Sequence, residues 1–270
     1  MVVSLLVFIL GLIIGSFLNV VIYRFGSGMR VTGRSKCLSC GKTLTAAMLI
    51  PLLSFLFMRG RCGYCGTKLS WQYPLVETLT ATLFVIAAHV NGLLSMSASS
   101  HQFVVFAVEA AIWAVLVVIT VYDLKHRIIP DMLSLLFALL SGGLLLLKWS
   151  WGLSVIPFLP FLDSVPVWIN AAAGVLLALP FALLWLFSGG RAMGLGDAKL
   201  AWGIGWFLGF AGGVSAAVLA FWVAFFPSLL LLLVRSKHFT MKSEIPFAPF
   251  LIIGTLIVYT FGIDILSWTF

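Results

Sequence analysis

Charge is what this chain has least of. Asp, Glu, Lys and Arg make up 9% of its 270 residues, against about 25% in an ordinary soluble domain. That scarcity excludes a soluble globular protein. Acids are the rarer sign, 8 against 16 Lys and Arg. The basic excess forms no stripe interleaved with aromatics, so nucleic acid is excluded as a partner. Internal repeats and low-complexity tracts are missing as well. The apolar runs are continuous rather than alternating, which excludes a membrane β-barrel, because lipid-facing backbone must then satisfy itself within helices. Cysteine is sparse too: there are 4, and all fall between positions 37 and 65.

What is present is apolar. Hydrophobic residues make up 62% of the chain, and the mean hydropathy is +1.18. A spanning helix needs about 20 apolar residues, and the runs predict spans near 2–23, 74–91, 103–122, 131–147, 168–187, 199–209, 213–234 and 247–263. The sixth is short. The expected fold is therefore all-α, a polytopic membrane bundle of seven to eight transmembrane helices. The run from Leu200 to Val234 is too long for one helix, and Gly209, Gly212 and Gly213 mark the expected turn. The first 23 residues lack the basic n-region of a secretory signal and meet their first cation at Arg24, so they read as a retained span with its N-terminus outside.

The distribution of Lys and Arg orients the bundle. Placing segments 24–73, 123–130, 188–199 and 235–246 on one side gives that side 15 of the 16 basic residues and leaves only Lys148 opposite. By the positive-inside rule those segments are cytoplasmic, and their charge suits anionic lipid headgroups. The outer loop 148–168, with its prolines and tryptophans, reads as an interfacial re-entrant segment. Three parts follow: a first span at 1–23, a cytoplasmic module at 24–73 and a membrane-embedded core at 74–270.

The module holds two CxxC pairs, Cys37/Cys40 and Cys62/Cys65, separated by 21 residues. That spacing matches a tetrathiolate zinc site with a closed, structural ligand set. Gly41 and Gly66 follow each second cysteine and permit the positive φ of a metal knuckle. Two disulfides are the alternative, which a reducing cytoplasmic side disfavours. Between the pairs, MLIPLLSFLFMRGR (48–61) is apolar but too short to span, and an interfacial helix is expected.

Acids at the edge of apolar runs are the chemically informative residues, because an ionisable group costs about 2.5–3.5 kcal/mol at the centre of a membrane helix and is rarely kept without a use. Asp123 ends one long run, in VITVYDLKHRIIPD, and Asp197 precedes another, in GLGDAKL. Both fall on the side that Lys and Arg define as cytoplasmic. Two carboxylates that meet make an acid–base pair able to activate water: at about 3 Å they share one proton. Taken singly, a helix-end Asp is most often a cap or a solvated charge.

These pieces together resemble the type IV prepilin peptidases, a family of GxGD-type aspartic peptidases. The resemblance rests on GLIIGSFLNVVIYR (11–24), the paired CxxC motifs, IPLLSFLFMRGRC (50–62), WQYPLVE (71–77), YDLKHRIIPD (122–131), GLGDAKL (194–200) and EIPFAPFL (244–251), in that order over most of the chain. It implies a catalytic dyad of Asp123 and Asp197 in a multi-pass protein of the bacterial inner membrane, with the active site facing the cytoplasm. It implies as substrate a prepilin, or a pseudopilin of a type II secretion system. Such a precursor has a basic leader and is cut after a glycine. In many members S-adenosylmethionine-dependent N-methylation of the new terminus follows.

The neighbouring residues take supporting roles in this reading. Gly194 and Gly196 let backbone approach Asp197 or substrate. Lys199 can tune the dyad or bind a lipid phosphate, and lipid is the expected role for Lys125. Pro130 is a poor continuation of the preceding helix, and Asp131 is placed to cap the next one. Glu77, inside WQYPLVE, is either a substrate or cofactor contact or a structural hydrogen-bonding group. Glu244 heads EIPFAPFL and is expected to orient that loop under the dyad. His126 reads as a surface residue, Glu109 as an acid bonded between helices, and Asp163 and Asp264 as interface charges. Gly11 and Gly15 form a GxxxG of the kind that marks close helix packing. A proton-coupled transporter is the competing class, but it predicts inverted repeats. A zinc-stabilised scaffold that contacts pilins without cutting them would keep the same motifs.

Overall fold

A computed structural model describes residues 2–27, 30, 32–95, 98–154, 167–191, 193–233 and 246–265. Among these the regular elements are helical: α1 (Val2–Arg24), a short 3₁₀ helix (Ala46–Leu49), α2 (Leu53–Phe57), α3 (Gln72–Val90), α4 (Ser100–His126), α5 (Asp131–Ser150), α6 (Val167–Ser188), α7 (Leu195–Leu233) and α8 (Ala248–Phe261). Among the described residues six helices are long and apolar enough to cross a membrane. The all-α membrane architecture expected from the apolar runs is therefore the observed one. The re-entrant reading of the outer loop and the charge at Asp163 lie outside the described residues. The chain divides into two compact units, Met1–Val118 and Ile119–Phe270, with α4 running through the boundary.

In the first unit α1 packs on α3. A Cβ added at Gly11 would meet Ala81 Cα at 2.5 Å, and one at Gly15 would meet Glu77 Cα at 2.7 Å, so the GxxxG brings two backbones together as expected. The pairing 11–81 and 15–77 makes the helices antiparallel. Asn19 fastens their ends: its Nδ2 donates to Tyr73 O (3.2 Å) and its Oδ1 accepts from Gln72 Nε2 (3.2 Å). Tyr23 stacks on Tyr73 at 5.6 Å.

In the second unit α7 is the central element, packed against α5, α6 and α8. Small residues permit this: a Cβ at Gly205 would stand 2.4 Å from Ala173 O, and one at Gly254 would stand 2.3 Å from Ala216 O. The long apolar run turns back as expected: a Cβ added at Gly213 would stand 3.4 Å from Gly205 Cα, whereas residues eight apart along one straight helix lie about 12 Å apart. The α7 range therefore holds two helical segments that meet at Gly209, whose φ of 72° and ψ of −179° lie in a region open essentially to glycine alone. The break frees the N–H of Phe210, and the buried Asn170 side chain on α6 accepts it at 3.3 Å. The last apolar helix, α8, is 14 residues long, about 21 Å at 1.5 Å per residue. After it the chain folds back, with Ile265 N donating to Ser215 Oγ at 3.0 Å. Asp264 is buried there rather than lying as an exposed interface charge, because this return covers it.

Candidate active site

The apolar run predicts a span that stops at 122, just before Asp123. The structure keeps it helical, because α4 runs on to His126, whose ring lies 4.4 Å from that of Tyr122. The helix ends where Arg127 adopts a positive φ of 55° and donates its amide to Asp123 O at 2.7 Å. Pro130, which has no N–H to continue a helix, then serves as the N-cap residue of α5. The short turn 127–130 follows Asp123, which has 4% of its surface exposed.

Asp197 likewise belongs to a helix, the first turn of α7. Its amide donates to Gly194 O at 3.3 Å, and its carboxylate accepts from the Gly194 N–H. An acid at the third helical position that reaches back to the cap residue's N–H is one half of a capping box. Gly196 has a steric reason to be glycine: a Cβ there would meet Ile129 Cβ at 2.9 Å. That closeness seats the start of α7 on the turn that follows Asp123. At Gly194 a Cβ would sit 3.7 Å from Asp197 Oδ2, an ordinary contact, so space does not demand glycine at that position.

The two carboxylates lie within electrostatic reach of each other, and the Asp123 charge is felt at Asp197. Asp197 is also buried, at 8% exposure. Asp123 accepts a hydrogen bond from the backbone N–H of Ala248, the first residue of α8. Its Oδ2 is buried without a hydrogen-bond partner. Each acid is thus held by an N–H at the start of a helix, and one oxygen of the pair is left over. Sequence reasoning missed Ala248, since a backbone donor has no side-chain signature. The signal that points there is Pro249 in the first turn of α8, which marks a helix start.

The other residues singled out in the sequence fall around this pair or away from it. Lys199 Nζ bonds Asp131 Oδ1 at 2.6 Å, joining the second turn of α7 to the first turn of α5. Asp131 makes no cap: Pro130 holds the cap position, and Asp131 stands one residue inside the helix, where its carboxylate complements the helix dipole. Glu77 belongs to the first unit. It is buried, its Oε2 accepts from Leu52 N at 2.9 Å, and Ser16 also bonds it. Glu109 is fully buried and accepts a hydrogen bond from Asn91, just past α3. Glu244 lies outside the described residues.

The four cysteines meet in the first unit. Their sulfurs all lie within 4.8 Å of one another, and Cys37 Sγ is 3.9 Å from Cys65 Sγ. Tetrahedral ligands at 2.3 Å would stand about 3.8 Å apart, so the cluster can hold a metal ion. Two matching knuckles build it. Lys36 bridges Thr43 and Arg61 bridges Lys68, the amides of Gly41 and Gly66 donate to Cys37 O and Cys62 O at 2.9 Å, and both glycines have φ of 70°. The Cys40 and Ser39 N–H groups hold the Cys37 thiol below its ordinary value. The Thr67 hydroxyl and amide lower Cys65 to about 6. At Cys40 the Lys42 N–H pulls downward, but desolvation and the sulfurs of Cys37 and Cys65 outweigh it and push the thiol up to about 11. Two thiols therefore ionise readily, in the form a metal binds.

Comparison with known proteins covers both units. Residues 9–90 match the bacterial peptidase A24 N-terminal domain, and residues 110–263 match the type IV leader peptidase family. A prepilin leader peptidase/N-methyltransferase of Aeromonas hydrophila is 34% identical over 97% of this chain and 92% of its own length. The protein of the same name in Bacillus subtilis strain 168 is 31% identical over 97% of this chain and 96% of its own. No solved structure matches. With the family model spanning more than half of the chain and relatives aligned almost end to end, the chain belongs to the type IV leader peptidase family.

Proposed function

We propose that this protein is the endopeptidase that removes the basic leader of type IV prepilins or pseudopilins, cutting after glycine at the cytoplasmic face of the bacterial inner membrane. The observation that carries the reading is the pair of buried carboxylates, Asp123 and Asp197, within electrostatic reach of each other at the starts of α7 and α8. As a dyad, one carboxyl is ionised while its neighbour carries a proton. The ionised member takes a proton from water as the water attacks the scissile carbonyl. The protonated member hydrogen-bonds the carbonyl oxygen and then protonates the leaving amine. The unpartnered Asp123 Oδ2 is the atom free to meet that water. Gly196 keeps the two acids together by seating α7 on the 127–130 turn, and Lys199 supports the same corner through Asp131.

The cysteine module at 24–73 is a structural zinc site with Cys37, Cys40, Cys62 and Cys65 as ligands, and 74–270 is the peptidase core. The relatives' names support a second activity, N-methylation of the new terminus from S-adenosylmethionine. Anionic lipid is the natural environment of the basic cytoplasmic segments, and nucleic acid has no place in the scheme. Membranes holding the protein and a model prepilin should yield the shortened product on a gel. Asp123→Ala and Asp197→Ala should each abolish it while protein yield persists, and cleavage by either variant near the wild-type rate would sink the dyad. Mass spectrometry of the product terminus reads methylation.

A further inference from the structure

The segment between the two cysteine pairs contains a strained turn anchored inside the bundle. Leu52 has φ 58° and ψ −52°, and Leu53 N donates to Pro51 O at 2.6 Å. Together these define a γ-turn of the rare, strained kind. The Leu52 N–H is taken by the buried Oε2 of Glu77 at 2.9 Å. Glu77 is five residues into α3, which begins at Gln72, so the turn is pinned about 7 Å along the span from its start. Ser16 of α1, which also bonds Glu77, lies eight residues before the end of α1 at Arg24. Because α1 and α3 are antiparallel, both mark the same face of the membrane. The segment is thus held level with the outermost turns of two spanning helices rather than out in water.

From that anchored turn α2 projects an apolar ridge. Leu53, Leu56 and Phe57 fall at i, i+3 and i+4, with Leu56 69% and Phe57 83% exposed, and Leu49 and Ile50 extend the ridge. Phe55 on the opposite side is buried, so the exposed face is the one left over after the module has packed. The exposed charges of the module all have one sign, the one acid at the turn, Glu77, being buried. Positions 24–76 contain eight Lys and Arg and no acid, and all of these cations but Arg24 are exposed. Arg24 instead holds the carbonyls of Arg30, Thr32 and Arg34. Exposed apolar side chains at interfacial depth, ringed by cations, match an anionic bilayer surface.

We propose that the cysteine module is a monotopic membrane anchor: the α2 ridge enters the headgroup layer, and Arg59, Arg61 and Lys68 beside it engage anionic lipid headgroups. Glu77 is the positioning residue that fixes the angle of entry through Leu52. The metal knuckles then stand on the membrane surface with their cations against anionic lipid.

The test uses the full chain in nanodiscs of phosphatidylcholine alone or mixed with phosphatidylglycerol. The photo-reactive residue benzoylphenylalanine is installed in place of Phe57, an exposed position whose exchange leaves the packing intact, and metal content is measured as the check on folding. Irradiation should give adducts with lipid, read by mass spectrometry, in higher yield with phosphatidylglycerol present. Combining Arg59→Gln, Arg61→Gln and Lys68→Gln should lower that yield several-fold in the mixed discs and leave it unchanged in phosphatidylcholine. Adducts confined to polypeptide, whether a second copy of the chain or an added prepilin, would overturn the anchor, as would an absence of lipid adducts. Equal yields in both lipids would overturn the contact with anionic headgroups.

Discussion

Replacing Asp123 by Asn separates chemistry from fold at the proposed dyad. Asn has the shape of Asp and keeps an oxygen that can accept the Ala248 N–H, so that donor is not orphaned and expression should hold. What it loses is the ability to take or give a proton. A positioned acid–base group contributes about 10²–10⁴-fold, or roughly 2.7–5.4 kcal/mol at 1.36 kcal/mol per tenfold. Asp131→Asn is the matched control eight residues away. Its carboxylate is 78% exposed and its Lys199 partner 39% exposed, a pair worth about 0.2–1 kcal/mol. That control should cost no more than about fivefold in cleavage. The assay is the initial rate of prepilin shortening in membranes, normalised to protein on an immunoblot. If Asp123→Asn cuts within a few-fold of wild type, or if Asp131→Asn loses as much as Asp123→Asn, the assignment of roles among these acids fails.

Gly196→Ala places a methyl 2.9 Å from Ile129 Cβ; overpacking of this kind costs about 1–3 kcal/mol, and cleavage should fall while Gly194→Ala, which meets ordinary contact, falls less. Rates that rank the other way would contradict the seating of α7 on the 127–130 turn. Gly209→Ala forces a side chain into a conformation that costs about 1–3 kcal/mol, and Asn170→Ala strips the acceptor from Phe210 N–H at about 0.5–2 kcal/mol; thermal unfolding in detergent should show both losses, with Gly209→Ala the larger. Cys62→Ser should lower bound metal, read by elemental analysis, and open residues 35–70 to limited proteolysis. Full metal retention in that variant would remove Cys62 from the ligand set.

Much of the fold was legible because apolar run length reports membrane helices almost directly. The knuckle glycines were legible for a local reason, since a tight turn after each CxxC needs positive φ and glycine supplies it cheaply. Helix boundaries were harder. The apolar runs predict span ends at 122 and 199, leaving Asp123 and Asp197 just outside, because charge ends an apolar run on paper, whereas a helix continues for as long as its backbone finds partners. The turn at Gly209 is legible because the run from Leu200 to Val234 is too long for one span, whereas Asn170 as the acceptor of Phe210 N–H is not. Partnerships distant in sequence left no mark: Lys199 with Asp131, Glu77 with Leu52, and Ala248 with Asp123 are pairs that only tertiary packing creates. The γ-turn at Leu52 was hidden as well, because nothing about a leucine announces a positive φ.

The same geometry explains why the acids can be tolerated where they are. The first N–H groups of α7 and α8 have no partner within their own helices, and a buried donor left unsatisfied costs about 1–3 kcal/mol. A buried carboxylate equally needs donors. At Gly194–Asp197 and Ala248–Asp123 each need answers the other, so the dyad serves as a cap on two helices as well as a proposed site of chemistry. The two roles predict different responses to two substitutions at one position. Asp197→Ala removes both proton transfer and the acceptor for Gly194 N–H; Asp197→Asn removes only the first. Both should be inactive, yet the Ala variant should be less stable than the Asn variant by about 0.5–2 kcal/mol, and the same ordering should hold at Asp123. Equal unfolding temperatures for the Ala and Asn variants at both positions would mean that the helix-start N–H groups find other acceptors, and that the carboxylates are held in place by something other than α7 and α8.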